Sequence, residues 1–181
     1  MVKNRKLSVE ELNRVSVTEY KGAVKMPVVV ILDNVRSLNN IGSIFRTSDA
    51  LGIMKIYLCG ISATPPHPDI HRTALGAEDS VEWAYYENTE DAFLHLKNDG
   101  YSVFSLEQTT DSIDLRKFIP QKGAKYAFVF GNELKGVSQT VIDQCDGAIE
   151  IPQFGTKHSF NVSVTAGIVL WDFFTKLDSH L

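Results

Sequence analysis

The sequence predicts an α/β domain built on a mostly parallel sheet flanked by helices. Strand-length apolar runs alternate along the chain with segments of helical spacing. MPVVVILDNV, residues 26–35, is a near-continuous aliphatic run, the mark of a strand covered on both faces. Polar turns rich in glycine and asparagine follow several of the runs, at the strand ends where ligands bind in such sheets. The chain of 181 residues is long enough for one such domain with a sizeable core and a short extension.

The elements are expected in this order. In LSVEEL, Ser8 stands three residues before Glu11, a capping-box signature for a short helix. Residues 1–24 are therefore read as a basic helical extension and 25–181 as the domain. After the aliphatic strand, SLNNIGSIFRTSDALG forms a helix and KIYLCG a second strand. Residues 60–80, with Pro65, Pro66 and Pro68, are expected to be a long loop. TEDAFLHLKNDG has helical spacing and a glycine stop at Gly100. YSVFSL and KYAFVFG are strands, SQTVIDQC a helix, GAIEIP a strand, and 161–177 the last helix. No repeat, low-complexity tract or linker marks a second domain.

Composition narrows the function classes. With 44% hydrophobic and 22% charged residues, the chain reads as an ordinary globular protein rather than a disordered one. No apolar run approaches the roughly 20 residues of a bilayer span, and the N-terminus lacks the apolar core of a secretory leader. Cys59 and Cys145 are solitary, which argues against a disulfide scaffold or a cysteine zinc site and fits a reducing cytoplasm. The net charge of −4 discourages a careless assignment to nucleic acid. Its distribution is uneven: residues 1–27 hold six basic and three acidic side chains, which leaves −7 on the rest. The basic end is either an RNA-facing arm or a solvated helix.

Three strand-end segments could carry chemistry: NNIGSIFRT, GNELKG and IPQFGTKHSFN. In the first, a helical wheel puts Ile41, Ile44, Phe45 and Ser48 on one side and turns Arg46 outward, near Gly42 and Ala50. Asn40 is a candidate cap, and a helix N-terminus attracts anions. Arg46 either strengthens a phosphate seat or pairs with a surface carboxylate such as Asp49. The second segment is G-x-E-x-x-G, neither a dinucleotide fingerprint nor a P-loop, and Glu133 is placed to brace an arginine or the loop itself. In the third, Ser159 and Asn161 are helix-start residues, and Ser163, Ala166 and Gly167 imply close packing against the last helix. HPDIH spaces His67 and His71 by four, half a zinc site if helical, but the flanking prolines and the lack of a third ligand speak against a metal. His158 beside Ser159 lacks the nucleophile elbow of a hydrolase.

Taken together, NNIGSIFRTSDALG, FVFGNELKGVSQTVIDQCDGAIEIP and SFNVSVTAGIVL resemble, in order and spacing, the three motifs of the SpoU/TrmH family. That family belongs to the SPOUT superfamily of RNA 2′-O-ribose methyltransferases. The resemblance runs from about residue 25 to the end of the last helix, and HRTALGAE in the long loop is also similar. It implies an α/β fold with a deep C-terminal trefoil knot, an exception to unknotted topology. It implies S-adenosyl-L-methionine held bent within the knot, mostly by backbone, at Leu106, Gly131, Ile151 and Phe160, with Gln153 nearby. Phe160 stands where leucine is usual.

The resemblance further implies a homodimer packed through the knot region, with an arginine reaching the partner's site and no metal. Catalytic positions carried over are Asn40, Arg46, Glu133, Ser159 and Asn161. The substrate is then a ribose 2′-hydroxyl in structured RNA, either tRNA or rRNA; the acidic tail LDSHL leaves the N-terminal segment as the evident basic arm. A guanidinium stays protonated at a pKa above about 12, so Arg46 is read as gripping phosphate and stabilising the developing alkoxide rather than as a base. A knotted RNA-binding module without turnover is the alternative. A dinucleotide oxidoreductase lacks its glycine fingerprint.

Overall fold

A computed structural model describes residues 4–178; Lys3 of the basic arm and the end of the LDSHL tail lie outside them. The described chain runs through α1 (Val17–Gly22), β1 (Met26–Asp33), α2 (Leu38–Ala50) and β2 (Ile53–Cys59). Then follow α3 (Pro68–Ala74), α4 (Ala77–Ser80), β3 (Glu82–Tyr86), α5 (Thr89–Asn98), β4 (Tyr101–Leu106) and β5 (Ile113–Asp114). The rest comprises β6 (Lys125–Phe130), α6 (Gln139–Ile142), β7 (Gly147–Glu150) and α7 (Val162–Asp178). The seven strands form one sheet in the order β3-β2-β1-β6-β4-β7-β5, and every pairing is parallel.

The aliphatic run of β1 is explained by its place in the middle of the sheet. Val28, Val30 and Leu32 enter a core shared with Ile41, Ile44 and Phe45 of α2 and Val169, Leu170 and Phe173 of α7. Val29 and Ile31 enter a second core with Ala92, Phe93 and Leu96 of α5. A strand buried on both faces has no use for polar alternation. Phe173 closes the first core, its ring 5.2 Å from Phe128 and 5.0 Å from Tyr126. Cys59 is buried and Cys145 half-buried; burial pushes both thiols up to about 12, so they are packing residues.

Register brings the functional ends together. Asp33 pairs with Cys59, Leu32 with Phe130, Ser105 with Val129 and Leu106 with Ile149. The carboxyl ends of β1, β6, β4 and β7 thus share one edge of the sheet, and all three candidate segments start there.

Several elements depart from expectation. The long loop of 60–80 contains α3, α4 and the start of the approach to β3. Pro68 sits in the first turn of α3, where a missing N–H costs nothing, and His67 caps that helix by accepting from Asp69 N at 3.1 Å. Glu82–Tyr86 is an edge strand, additional to the strands expected from the sequence. The Ser8 box forms, with Glu11 Oε2 accepting from Ser8 N at 2.8 Å, but closes only a 3₁₀ turn over Glu10–Leu12. A second box, Ser16 with Glu19, starts α1. SQTVIDQC yields only the four residues of α6.

Candidate active site

The first segment starts α2, with Ser37 rather than Asn40 as its cap: Ser37 Oγ accepts from Asn40 N at 3.3 Å. That frees the Asn40 side chain. Glu133, from the turn after β6, reaches the same helix end. Its Oε2 accepts from Arg36 N at 3.0 Å, and its Oε1 from Ser37 N at 2.9 Å and Asn40 Nδ2 at 3.0 Å. Burial alone would raise the Glu133 carboxyl. The N–H donors of Arg36 and Ser37 outweigh it, helped by the Asn40 amide, and hold the group below the ordinary carboxylate range. Glu133 therefore braces the start of α2, not an arginine.

Asn40 extends the chain of bonds to the third segment, its Oδ1 accepting from Asn161 Nδ2 at 3.1 Å. Asn161 caps α7 with its own Oδ1, taking Ser163 N at 2.9 Å and Ser163 Oγ at 2.6 Å. Each amide is oriented by its neighbour: the carboxylate fixes Asn40, Asn40 fixes Asn161, and the N-terminus of α7 completes the line. Three strand-end turns, the first 93 residues from the second and 121 from the third, are joined this way.

Beside this line lies an open cleft of about 990 Å³, which spans the second and third segments and the end of β4. Leu106, Gly131, Ile151, Gln153 and Phe160 all border it, with Glu133, Ser159 and Asn161. Gly131 cannot carry a side chain, because a Cβ there would strike the backbone of Gly136 and Val137. Asn132 shapes the intervening turn by accepting from Leu134 N at 2.9 Å and Lys135 N at 3.2 Å. Glu107, unremarked in the sequence, accepts from Val137 N at 3.1 Å and fills the space beside Gly136. Gln108 Nε2 donates to His158 O at 2.8 Å, tying the third segment to the end of β4.

Two expectations resolve differently. Gly42 is not an open neighbour of Arg46, because α3 lies against it: a Cβ at Gly42 would strike Thr73 and the Ile70 carbonyl. This close packing gives HRTALGAE its role here, with Thr73 Oγ1 donating to Asn39 O at 3.0 Å. Arg46 is exposed, as its wheel position predicts, but stands outside the cleft wall and forms no ion pair with Asp49 among the described residues. Of the small residues of α7, Ala166 is buried in the core, whereas a Cβ on Gly167 would meet nothing within 4 Å. Among the described residues no group of three His, Cys, Asp or Glu could hold a metal ion, and His71 Nδ1 lies 2.5 Å from Glu78 Oε1.

Residues 27–171 match the SpoU rRNA Methylase family. The tRNA (guanosine(18)-2′-O)-methyltransferase of Thermus thermophilus is 32% identical over 145 residues, 80% of this chain and 73% of that protein. The chain belongs to the SpoU family. A second SpoU relative, the 23S rRNA (guanosine-2′-O-)-methyltransferase of Neisseria meningitidis, is 30% identical over 80% of this chain and 56% of its own. The SpoU fold agrees as well. The A. aeolicus TrmH/SpoU tRNA modifying enzyme superposes with a TM-score of 0.79 at 25% identity, covering 91% of this chain and 83% of that one. An AdoMet-bound rRNA methyltransferase from Sinorhizobium meliloti superposes at 0.77 with 28% identity, covering 90% and 60%.

Proposed function

We infer that this chain transfers a methyl group from S-adenosyl-L-methionine to a ribose 2′-hydroxyl of structured RNA, tRNA or rRNA. The observation that carries the reading is the bonded line Glu133–Asn40–Asn161 at the edge of a cleft bordered by every residue expected to hold the cofactor. An intact line of this kind favours an enzyme over a binding module that has lost turnover.

The cleft suits the cofactor in size and charge. A volume of about 990 Å³ lies at the upper end of small-molecule sites. Leu106, Ile151 and Phe160 offer apolar contact and backbone groups for a purine. Glu107, Asp111 and Glu150 also border the cleft, a negative surround for a cation. When bound, S-adenosyl-L-methionine supplies an electrophilic sulfonium methyl.

The chain's own residues do the rest. Gly131 lets the turn of Gly136 and Val137 close against its backbone and so shapes the cleft wall, and Gln153 adds a polar edge. Asn40 and Asn161, fixed by Glu133, hold the helix ends that orient the ribose against the methyl, the placement that dominates such an in-line transfer. Ser159 stands beside Asn161 on the same wall. Arg46 of the partner subunit grips the adjacent phosphate and favours the developing alkoxide. It stays protonated, so phosphate or water takes the hydroxyl proton.

The dimer is part of the proposal. Val164, Ile168 and Trp171 form an exposed apolar stripe at helical spacing on α7. The open side of Gly167 allows a second helix to approach closely there. The knot is proposed with it: β7 inserts between β4 and β5, both earlier in the chain, as a threaded C-terminal segment requires. Residues 1–24 are proposed as an extension of the 25–181 domain, supported by the exposure of residues 4–19. Among the described residues no helix is long and apolar enough to cross a membrane, and a cytoplasmic location is proposed. The test is methyl transfer from labelled S-adenosyl-L-methionine to unfractionated tRNA and to ribosomal RNA separately. Label in one pool supports the reading; label in neither overturns it.

A further inference from the structure

The rim of the cleft carries large apolar side chains that the fold leaves bare. Leu134 borders the cleft and is 82% exposed; Phe154 follows Gln153 of the cleft wall and is 91% exposed. Bare apolar groups on loose tails mean little, but both backbones here are anchored. The Leu134 turn is held by Asn132 Oδ1 and, through Glu133, by the start of α2. The loop of Phe154 leaves β7 and is fastened at His158 O by Gln108 and at Asn161 by Asn40.

Each apolar group has a cation next to it in sequence or nearly so. Lys135 follows Leu134, and Lys157 lies three residues after Phe154. Neither lysine forms an ion pair with another described residue, on a chain whose net charge is −4. Apolar faces interleaved with free ammonium groups suit one class of occupant: an unstacked nucleotide, base against apolar carbon and flanking phosphates on the lysines. The stripe on α7, by contrast, is apolar without interleaved lysines, and none of Val164, Ile168 and Trp171 borders the cleft.

We propose that Leu134 and Phe154 form a platform for the base of the target nucleotide or its immediate neighbour, with Lys135 and Lys157 on the adjoining phosphates. The substrate would then be a loop or bulge whose bases are free to leave the stack, rather than a continuous duplex. This rests on the ribose-methylation reading and adds to it the feature by which a target is chosen.

The test uses the full chain and whichever RNA pool it labels. Phe154→Ala and Leu134→Ala should each raise KM for RNA about tenfold, the loss expected for one stacked base. KM for S-adenosyl-L-methionine, kcat at saturating RNA and the sedimentation coefficient should be unchanged. Phe154→Tyr should restore KM, since it returns a ring, and a folding defect would not be rescued in this way. An active Phe154→Ala with unaltered KM for RNA overturns the platform alone, as does a variant that falls apart into monomers. A wild-type chain that labels neither pool overturns the methyltransferase reading itself, and the platform with it.

Discussion

Asn40 gives its Nδ2 hydrogen to Glu133 Oε1 at 3.0 Å, across 93 residues of chain. The bond joins the start of α2 to the turn after β6 and fixes which way the Asn40 amide faces. Asn40→Asp puts a second carboxylate against the first, in a largely buried position. Stability should fall by about 1–3 kcal/mol in urea denaturation, and methyl transfer should be lost. Asn40→Ala should keep the fold and lower kcat by about a hundredfold.

The Glu133 carboxyl is held below its ordinary value, so its bonds to α2 are present in the ionised form. A depressed carboxyl contributes stability that is full above the unfolded-state value near 4.5 and is lost as pH falls through the lower folded-state value. Stability from this group should be flat from pH 6 to 8 and decline only below about 4.5. Denaturation midpoints from pH 3 to 7 should show a shallower acid limb for Glu133→Gln than for the wild type.

Two glycines should respond oppositely. Gly131→Ala forces a Cβ into the backbone of the facing turn and should cost about 1–3 kcal/mol, with weaker S-adenosyl-L-methionine binding by calorimetry. Gly167→Ala meets nothing within 4 Å in its own chain. Its thermal midpoint measured at high dilution should hold, while dimerisation measured by sedimentation should weaken.

Arg46 stands outside the cleft of its own chain. Arg46→Ala should be inactive and Asn40→Ala about a hundredfold slower, both still binding S-adenosyl-L-methionine. Mixed and re-associated, the two variants should regain activity, because some dimers then hold one site with both residues intact.

The sheet was legible because buried parallel strands write themselves as aliphatic runs, as in β1, and the three strand-end turns were found by position and residue type. The helices within 60–80 are hidden in the sequence because Pro68 looks like a breaker, although the first turn of a helix tolerates it. A cap at Asn40 is not what forms: Ser37 takes the cap, so the amide is free to bridge two loops. Contacts such as Asn40 with Asn161, 121 residues apart, leave no local signature. Glu107 escaped notice for the same reason, since its partners, Gly136 and Val137, lie thirty residues downstream.

The most direct measurement is alkaline hydrolysis of RNA labelled from tritiated S-adenosyl-L-methionine. Alkali cleaves RNA through the 2′-oxygen, so a methyl there blocks the break. The label should be recovered in alkali-resistant dinucleotides and be absent with Arg46→Ala. Label released as mononucleotides would place the methyl on a base and contradict ribose methylation.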